Sequence, residues 1–345
     1  MIEGYIRRVV EGEDLSAEDA ESAMGKIMTG RATDAQIAAY LTALRMKGET
    51  VAEISGSARA LRSVVSAVPL GPIGEAVLDT CGTGGDGAQT FNISTAAAFV
   101  IAGTGHKVAK HGNGAASSKC GSADVLAALG LNLDLAPEEV RVCIEEVGIG
   151  FMFAPRFHPA MKHAMAPRKE IGIRTIFNLL GPLTNPASAT HQLLGVYRSD
   201  LTQILAEVLR SLGVESAMVV HGDGGLDELT TSGVNRVSRL EKGIVITSDL
   251  DPADCGFKRS KIDEIRGGSP EENADRMRSL LSGKDRTSLV DVVVLNAAAG
   301  LSLIHGDLSL GIEQARRSIE SGAAREKLER LMALSKELRP EAVRV

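Results

Sequence analysis

The stretch from Asp79 to Asp124, DTCGTGGDGAQTFNISTAAAFVIAGTGHKVAKHGNGAASSKCGSAD, constrains the fold of this chain more than any other. It is rich in Gly, Ser, Thr and Asn and poor in charged side chains. It holds two loops, each between an apolar run of strand character and a helix. The first, Gly82 to Thr95, follows Ala76-Val77-Leu78, and the second, Lys110 to Ser122, follows Lys107-Val108-Ala109. Glycines let a loop turn its N–H groups inward, and helix N-termini add a positive dipole end. Together they cradle anions, phosphates above all. Repeated strand–loop–helix units call for a largely parallel sheet, with the ligand at the strand carboxyl ends where both loops emerge.

The residues inside the loops narrow the ligand. Gly82, Gly84 and Gly87 satisfy G-x-G-x-x-G after a strand. The acid that reads a dinucleotide ribose about 20 residues further on is missing, and Lys107 and Lys110 occupy that region. Asp86 would repel pyrophosphate unless a cation or ligand hydroxyls intervene. Asn92, Ser94 and Thr95 open the next helix with neutral hydrogen-bonding groups. Such a loop suits a sugar phosphate bound with a divalent metal. The second loop adds Lys110, Asn113, Lys119 and the hydroxyls of Ser117, Ser118 and Ser122. The plainer alternative is a glycine-rich turn with a Ser/Thr cap and a solvated lysine. Asp227 and Glu228 follow the turn Gly222-Asp223-Gly224-Gly225. Adjacent carboxylates on a loop can face one hard cation, and Mg²⁺ favours a few carboxylates with waters and phosphates. Solvent-facing charges are the alternative there.

GTGGDG, FNIST and KHGNGAASSKCGSADVLAALG together resemble the anthranilate phosphoribosyltransferase family. So do HPAMKHAMAPRKEIGIRTIFNLLGPLTNP from His158, HQLLGVY from His191 and HGDGGLDELT from His221. The resemblance runs almost end to end. It implies transfer of the phosphoribosyl group of phosphoribosyl pyrophosphate to anthranilate, in tryptophan biosynthesis, with Mg²⁺. It implies a small helical N-terminal domain and a large α/β domain of the nucleoside phosphorylase/phosphoribosyltransferase type. The helical domain would span 1–70 and be completed by about 158–188, leaving 75–157 and 189–345 to the α/β domain. Phosphoribosyl pyrophosphate would meet Gly82, Gly85, Asp86, Thr90, Asn92, Ile93, Ser94 and Thr95 from the first loop. From the second it would meet Lys110, His111, Gly112, Asn113, Gly114, Ala115, Ala116, Ser117, Ser118 and Ser122. Anthranilate would meet Gly82, Asn113 and Arg168, and the metal Ser94, Asp227 and Glu228. A salt bridge to Glu170 is the competing role for Arg168. Gly114 stands where the family usually has Arg, so a charge beside the site is lost. A pyrimidine nucleoside phosphorylase and a non-catalytic nucleic-acid-binding relative are the rival readings. The net charge of −6 speaks against the second, which needs a basic face.

The rest of the chain supplies the scaffold. Capping boxes at Thr33–Gln36 and Thr50–Glu53 frame helices with apolar stripes at Ile37, Tyr40, Leu41 and Leu44 and at Ile54, Ala58, Leu61 and Val65. Ile2, Ile6, Val9 and Val10 form another stripe, and such faces predict a homodimer through the helical domain. Val68 to Gly74 is a Pro/Gly linker. Strands are predicted at Ala76–Asp79, Lys107–Lys110, Gly150–Phe153, Leu193–Tyr197 and Ala217–His221, with antiparallel strands within 234–265. Prolines 159, 167, 182 and 186 break the His158–Pro186 segment into short helices, and 287–304 reads as a buried apolar helix. With aromatic residues at only 3% and no Trp, the core must come from Ala, Leu, Val and Ile. The four cysteines form no C-x-x-C pair and fit reduced cytosolic thiols. The N-terminus lacks an apolar signal region, and no run approaches a membrane span, so a cytoplasmic protein is expected.

Overall fold

The structure, a computed structural model, describes residues 2–71, 74–115 and 119–339. Capping chemistry sets the first helices. Helix α1 (Glu3–Val10) precedes α2 (Ala17–Met28), whose N-cap Ser16 accepts from the Asp19 N–H. Helices α3 (Asp34–Lys47) and α4 (Val51–Arg62) open on full capping boxes. Ile37, Tyr40, Leu41, Leu44, Ile54, Ala58 and Leu61 are buried as their spacing requires. Val10 departs from its predicted stripe. It is 69% exposed, because the face centred on Ile2 and Val9 turns it outward.

Beyond the linker, whose Pro72 and Ile73 lie outside the described residues, strands and helices alternate. The order is β1 (Val77–Gly82), α5 (Ile93–Gly103), β2 (Lys107–Gly112), α6 (Ser122–Leu129), α7 (Pro137–Glu146) and β3 (Ile149–Phe153). An insertion of α8 (Ala154–Phe157), α9 (Lys162–Ile171) and α10 (Phe177–Leu180) leads to β4 (His191–Gly195), α11 (Leu201–Ser211) and β5 (Ser216–His221). A hairpin, β6 (Asn235–Glu241) and β7 (Ile244–Leu250), precedes α12 (Pro270–Leu281), α13 (Ser288–His305), α14 (Leu308–Glu320) and α15 (Ala323–Leu338).

The sheet order is β3-β2-β1-β4-β5-β6-β7, with parallel pairing from β3 to β5 and antiparallel pairing beyond. A helical bundle beside a mostly parallel sheet is thus the fold. The chain leaves β1 for β2 and β3 on one side and returns to β4 on the other. The loops after β1 and β4 therefore diverge and open a crevice at the strand carboxyl ends. Gly82 pairs with Gly195 at the foot of that crevice.

Side chains alternate across the sheet as strand geometry demands. Leu193, Met218 and Val220 join a core built around α5 and α13. Leu194, Ala217 and Val219 join a second core with α1–α4, α11 and, from the insertion, Ile176, Leu180 and Leu183. Helix α13 corrects the expectation about membrane-length runs. Its 18 residues are long and apolar enough to cross a membrane, yet 72% of that window is buried inside the protein. It packs between α5 and α14.

Three local readings also change. Strands β1 and β2 run on to Gly82 and Gly112, because both glycines keep extended pairing, with Gly195 and Phe153. Strand β4 spans His191–Gly195 rather than Leu193–Tyr197, its pairing with β1 beginning at His191 and ending at Gly195. Pro167 does not break the insertion but sits inside α9. It removes one backbone donor there, which a helix held by tertiary packing tolerates.

Candidate active site

The crevice between β1 and β4 holds a cavity of about 600 Å³, in the range of small-ligand sites. Gly82 lines it, and Gly195 ends the neighbouring strand beneath it. A Cβ on Gly82 would stand 2.4 Å from Asp227 Oδ2, and one on Gly195 would stand 1.5 Å from the Asp227 carbonyl oxygen. Only glycine at both positions lets the Asp227–Glu228 loop lie across the sheet edge. There the Gly84 N–H donates to Asp227 Oδ2 at 2.7 Å, and the Ser94 N–H donates to Glu228 Oε1 at 3.0 Å. The acidic pair thus faces the first glycine loop and the N-terminus of α5.

Lys110 is a cation of this cavity. It is 3% exposed on β2 and donates to the Thr80 carbonyl at 2.5 Å and to Ser94 Oγ at 3.4 Å. Burial pulls its ammonium below its ordinary range, while Asp79 and Glu228 pull it back up. Sequence reasoning set Lys110 at the start of a loop, as a point charge for phosphate. The structure makes it a buried strand residue that also balances the carboxylates.

The carboxylates carry more negative charge than the protein offsets. Burial, then the charge of Asp86, pushes the Asp227 carboxyl up to about 7. Burial, then Asp227, pushes Glu228 up to about 8. Asp86 Oδ2 is buried without a hydrogen-bond partner. No group of three His, Cys, Asp or Glu side chains forms a ready cage among the described residues. Two hard carboxylates, the Ser94 hydroxyl and the unpaired Oδ2 of Asp86 beside a phosphate cradle fit Mg²⁺, which completes its shell with phosphates and water.

The cradle itself is α5 with its flanking loop. Thr95, 1% exposed on the first turn, lines the cavity with a hydroxyl that has no partner. The Asn92 amide ties the two loops together, donating to the Cys120 carbonyl at 3.1 Å and accepting from Asn273 at 3.0 Å. In the second loop Asp124 accepts from the Ala115 and Gly121 N–H groups, at 2.7 and 2.8 Å. That clamp ties Ala115 to the N-terminus of α6. His111 is buried and its Nε2 lies 3.1 Å from Nε2 of His158. Burial and then the neighbouring His158 depress His111 to about 3, and burial depresses His158 to about 4. Both imidazoles are therefore neutral at physiological pH and too weakly basic to act as a strong general base.

Across the cavity stands the insertion. Arg168 lies 4.8 Å from the centroid of the Phe177 ring, and burial, with no charged partner, pulls its guanidinium below its ordinary value. Among the described residues no carboxylate, Glu170 included, lies within ion-pair distance of it. The fork is left facing the cavity, suited to a bidentate carboxylate.

Of the residues expected from sequence, the cavity is lined by Gly82, Gly85, Asp86, Thr90, Asn92, Ser94, Thr95, Lys110, His111, Gly112, Asn113, Gly114, Ser122, Arg168, Asp227 and Glu228. Ile93 turns its side chain into the core, and its N–H is already donated to the Phe91 carbonyl at 2.8 Å. Ala115 is exposed beside the cavity rather than in its lining. Ala116, Ser117 and Ser118 lie outside the described residues. The structure adds Gly84, Ile173, Arg174, Phe177 and Asn178 to the lining. Gly84 is visible within the glycine motif, whereas the other four come from the insertion and nothing in their spacing points to a site.

A helical bundle joined to an α/β body, with a phosphate cradle at the sheet's switch point, defines a glycosyl transferase. Residues 74–325 match the glycosyl transferase family a/b domain, and residues 3–64 match the helical bundle domain of that family. An anthranilate phosphoribosyltransferase of Symbiobacterium thermophilum is 54% identical over 343 residues, covering 99% of this chain and 100% of its own. The crystal structure of anthranilate phosphoribosyltransferase from Thermus thermophilus aligns with a TM-score of 0.90 at 44% identity, over 96% of this chain and 99% of its own. That of Saccharomyces cerevisiae, in complex with PRPP and Mg, aligns with a TM-score of 0.89 at 30% identity, over 97% and 98%. The chain belongs to the anthranilate phosphoribosyltransferase family.

Proposed function

We propose that this protein transfers the 5-phosphoribosyl group of phosphoribosyl pyrophosphate to the amino group of anthranilate. The products are N-(5-phosphoribosyl)anthranilate and pyrophosphate, a step of tryptophan biosynthesis. One observation carries the reading. A phosphate cradle with a buried carboxylate pair faces, across a single cavity, an arginine that has no acid of its own among the described residues.

The first loop, the start of α5 and Lys110 hold the phosphates and pyrophosphate of the donor. Ser94, Asp227 and Glu228 hold Mg²⁺. The chemistry such a cation supplies is neutralisation of charge on a departing pyrophosphate. As the anomeric C–O bond stretches, positive charge develops on the ribose, and the loop N–H groups stabilise the negative charge leaving it. The aromatic amine is a weak nucleophile, so Arg168 and Asn113 contribute by holding anthranilate in line rather than by activating it. The low basicity of His111 supports a reaction without a strong base at that position.

Residues 1–70 with about 158–188 form the helical domain, and 75–157 with 189–345 the α/β domain. The shared core of α1–α4 with Ile176, Leu180 and Leu183 supports this division. The protein works in the cytoplasm, as four cysteines that form no disulfide favour. It pairs as a homodimer through the helical domain, where Val10 and Met46 are 69% and 83% exposed. Light scattering that reads a monomer at micromolar concentration sinks the dimer.

The activity is tested by mixing anthranilate with phosphoribosyl pyrophosphate and following anthranilate fluorescence. Loss of fluorescence is expected only with Mg²⁺, and none with the Asp227→Asn/Glu228→Gln variant. Phosphorolysis of a pyrimidine nucleoside in its place overturns the assignment.

A further inference from the structure

The feet of the first glycine loop are tied to the sheet and its neighbours. The Thr83 N–H donates to the Gly195 carbonyl at 2.9 Å, and the Gly267 N–H donates to the Gln89 carbonyl at 2.9 Å. The crest is held differently. Among the described residues, one side chain beyond the loop bonds the backbone between Gly85 and Gly87. It is Arg174, whose guanidinium donates to the Gly85 carbonyl.

Arg174 comes from the insertion, between α9 and α10, on the opposite wall of the cavity. Its guanidinium carbon lies 4.4 Å from the centroid of the Tyr197 ring, which follows β4. Stacking on an aromatic face orients the planar fork. Gly85 is shaped to receive it. The residue sits at φ +79°, and a Cβ there would stand 3.0 Å from a guanidinium nitrogen and 3.2 Å from its carbon. Ring, fork and glycine thus form a three-part latch joining sheet, insertion and loop.

We propose that Arg174 is a positioning residue for the phosphoribosyl pyrophosphate subsite, holding the loop crest so that its amides face the pyrophosphate before the substrate arrives. This role rests on the phosphoribosyl transfer proposed above. A loop that is already ordered does not draw its ordering from the substrate's binding energy, so loss of the latch falls on donor affinity.

Arg174→Met keeps the length of the side chain and removes its donors. It is expected to raise KM for phosphoribosyl pyrophosphate about tenfold. It should change kcat and KM for anthranilate by less than about twofold. In ligand-free protein it should also speed amide hydrogen exchange over residues 83–88. Arg174→Lys recovers part of both effects, since an ammonium donates but does not stack as a plane. Tyr197→Ala reproduces the faster exchange and Tyr197→Phe does not. Unchanged exchange in Arg174→Met overturns the latch, as does a fall in kcat with KM for the donor unmoved. If the unaltered protein transfers no phosphoribosyl group, the activity reading fails, and the exchange measurements alone decide whether Arg174 holds the loop.

Discussion

A guanidinium resting on a phenyl ring, with no acid beside it among the described residues, is poised for a ligand, and Arg168 is in that position. Arg168→Ala is expected to raise KM for anthranilate roughly ten- to a hundredfold, the worth of a charge-assisted contact of about 1.5–3 kcal/mol. Arg168→Lys should rescue only partly, because an ammonium lacks the fork. Steady-state titration of each substrate tests this, and unchanged anthranilate saturation defeats it. The His111–His158 pair sets a second expectation. Both folded values lie below the ordinary 6.5, at about 3 and about 4. Below that ordinary value the unfolded chain binds protons that the folded chain refuses, so stability falls as pH drops from about 6.5 toward about 4. Asp79, Asp227 and Glu228, raised chiefly by burial to about 6, 7 and 8, oppose this as pH falls, but equally in wild type and variant, so the comparison isolates the imidazoles. His158→Gln should therefore reduce the stability lost between pH 7 and pH 5 by about 1–2 kcal/mol. Parallel urea-unfolding curves at the two pH values would refute it. Lys110 shows where residue chemistry alone misleads. Its glycine-rich setting signals a phosphate cation, but its burial and its bond to Thr80 appear only once β1 and β2 are paired.

At the level of elements, the crevice depends on two strands ending in glycine side by side. The first of these stands in a glycine-rich motif and is legible in the sequence. Gly195 sits in LLGVY, where its role is invisible until the Asp227 carbonyl is seen against it. Gly195→Ala forces that backbone to move, at a cost of roughly 1–3 kcal/mol. Displacing the acidic pair by about 1 Å should lower kcat about a hundredfold. Thermal unfolding together with turnover checks both, and wild-type turnover in the variant would show that the loop can yield. The loops and capping boxes are legible because their geometry is local, fixed by glycine, Ser and Thr at set spacings. Beyond Arg168, which the family resemblance supplied, the insertion's share of the cavity is not, because Ile173, Arg174 and Phe177 reach it only through packing between distant segments. Pro167 within α9 misled for the same reason, since a helix supported by neighbours survives a break that sequence rules predict.

For the whole molecule, the strand-by-strand alternation was enough to predict a parallel sheet, and a parallel sheet that winds both ways has one crevice where ligands sit. What alternation cannot supply is the order of strands, and with it the return to β4 that brings residues 79–95 against 227–228. The same long-range assembly bears on α13. A protein is made from its N-terminus, so α13 exists before α14 and α15, the two helices that finish enclosing this side of the core. During that interval a nascent chain displays an 18-residue segment that passes for a membrane span. Exposed apolar surface of this kind promotes aggregation. A chain stopped after Gly306 should therefore go to the pellet or partition into detergent, while the full chain stays in the supernatant. If the shortened protein remains monodisperse, α5 and the sheet shield α13 without help. If it does not, the C-terminal helices, none of whose described residues lines the cavity, serve as the seal over a helix long and apolar enough to cross a membrane.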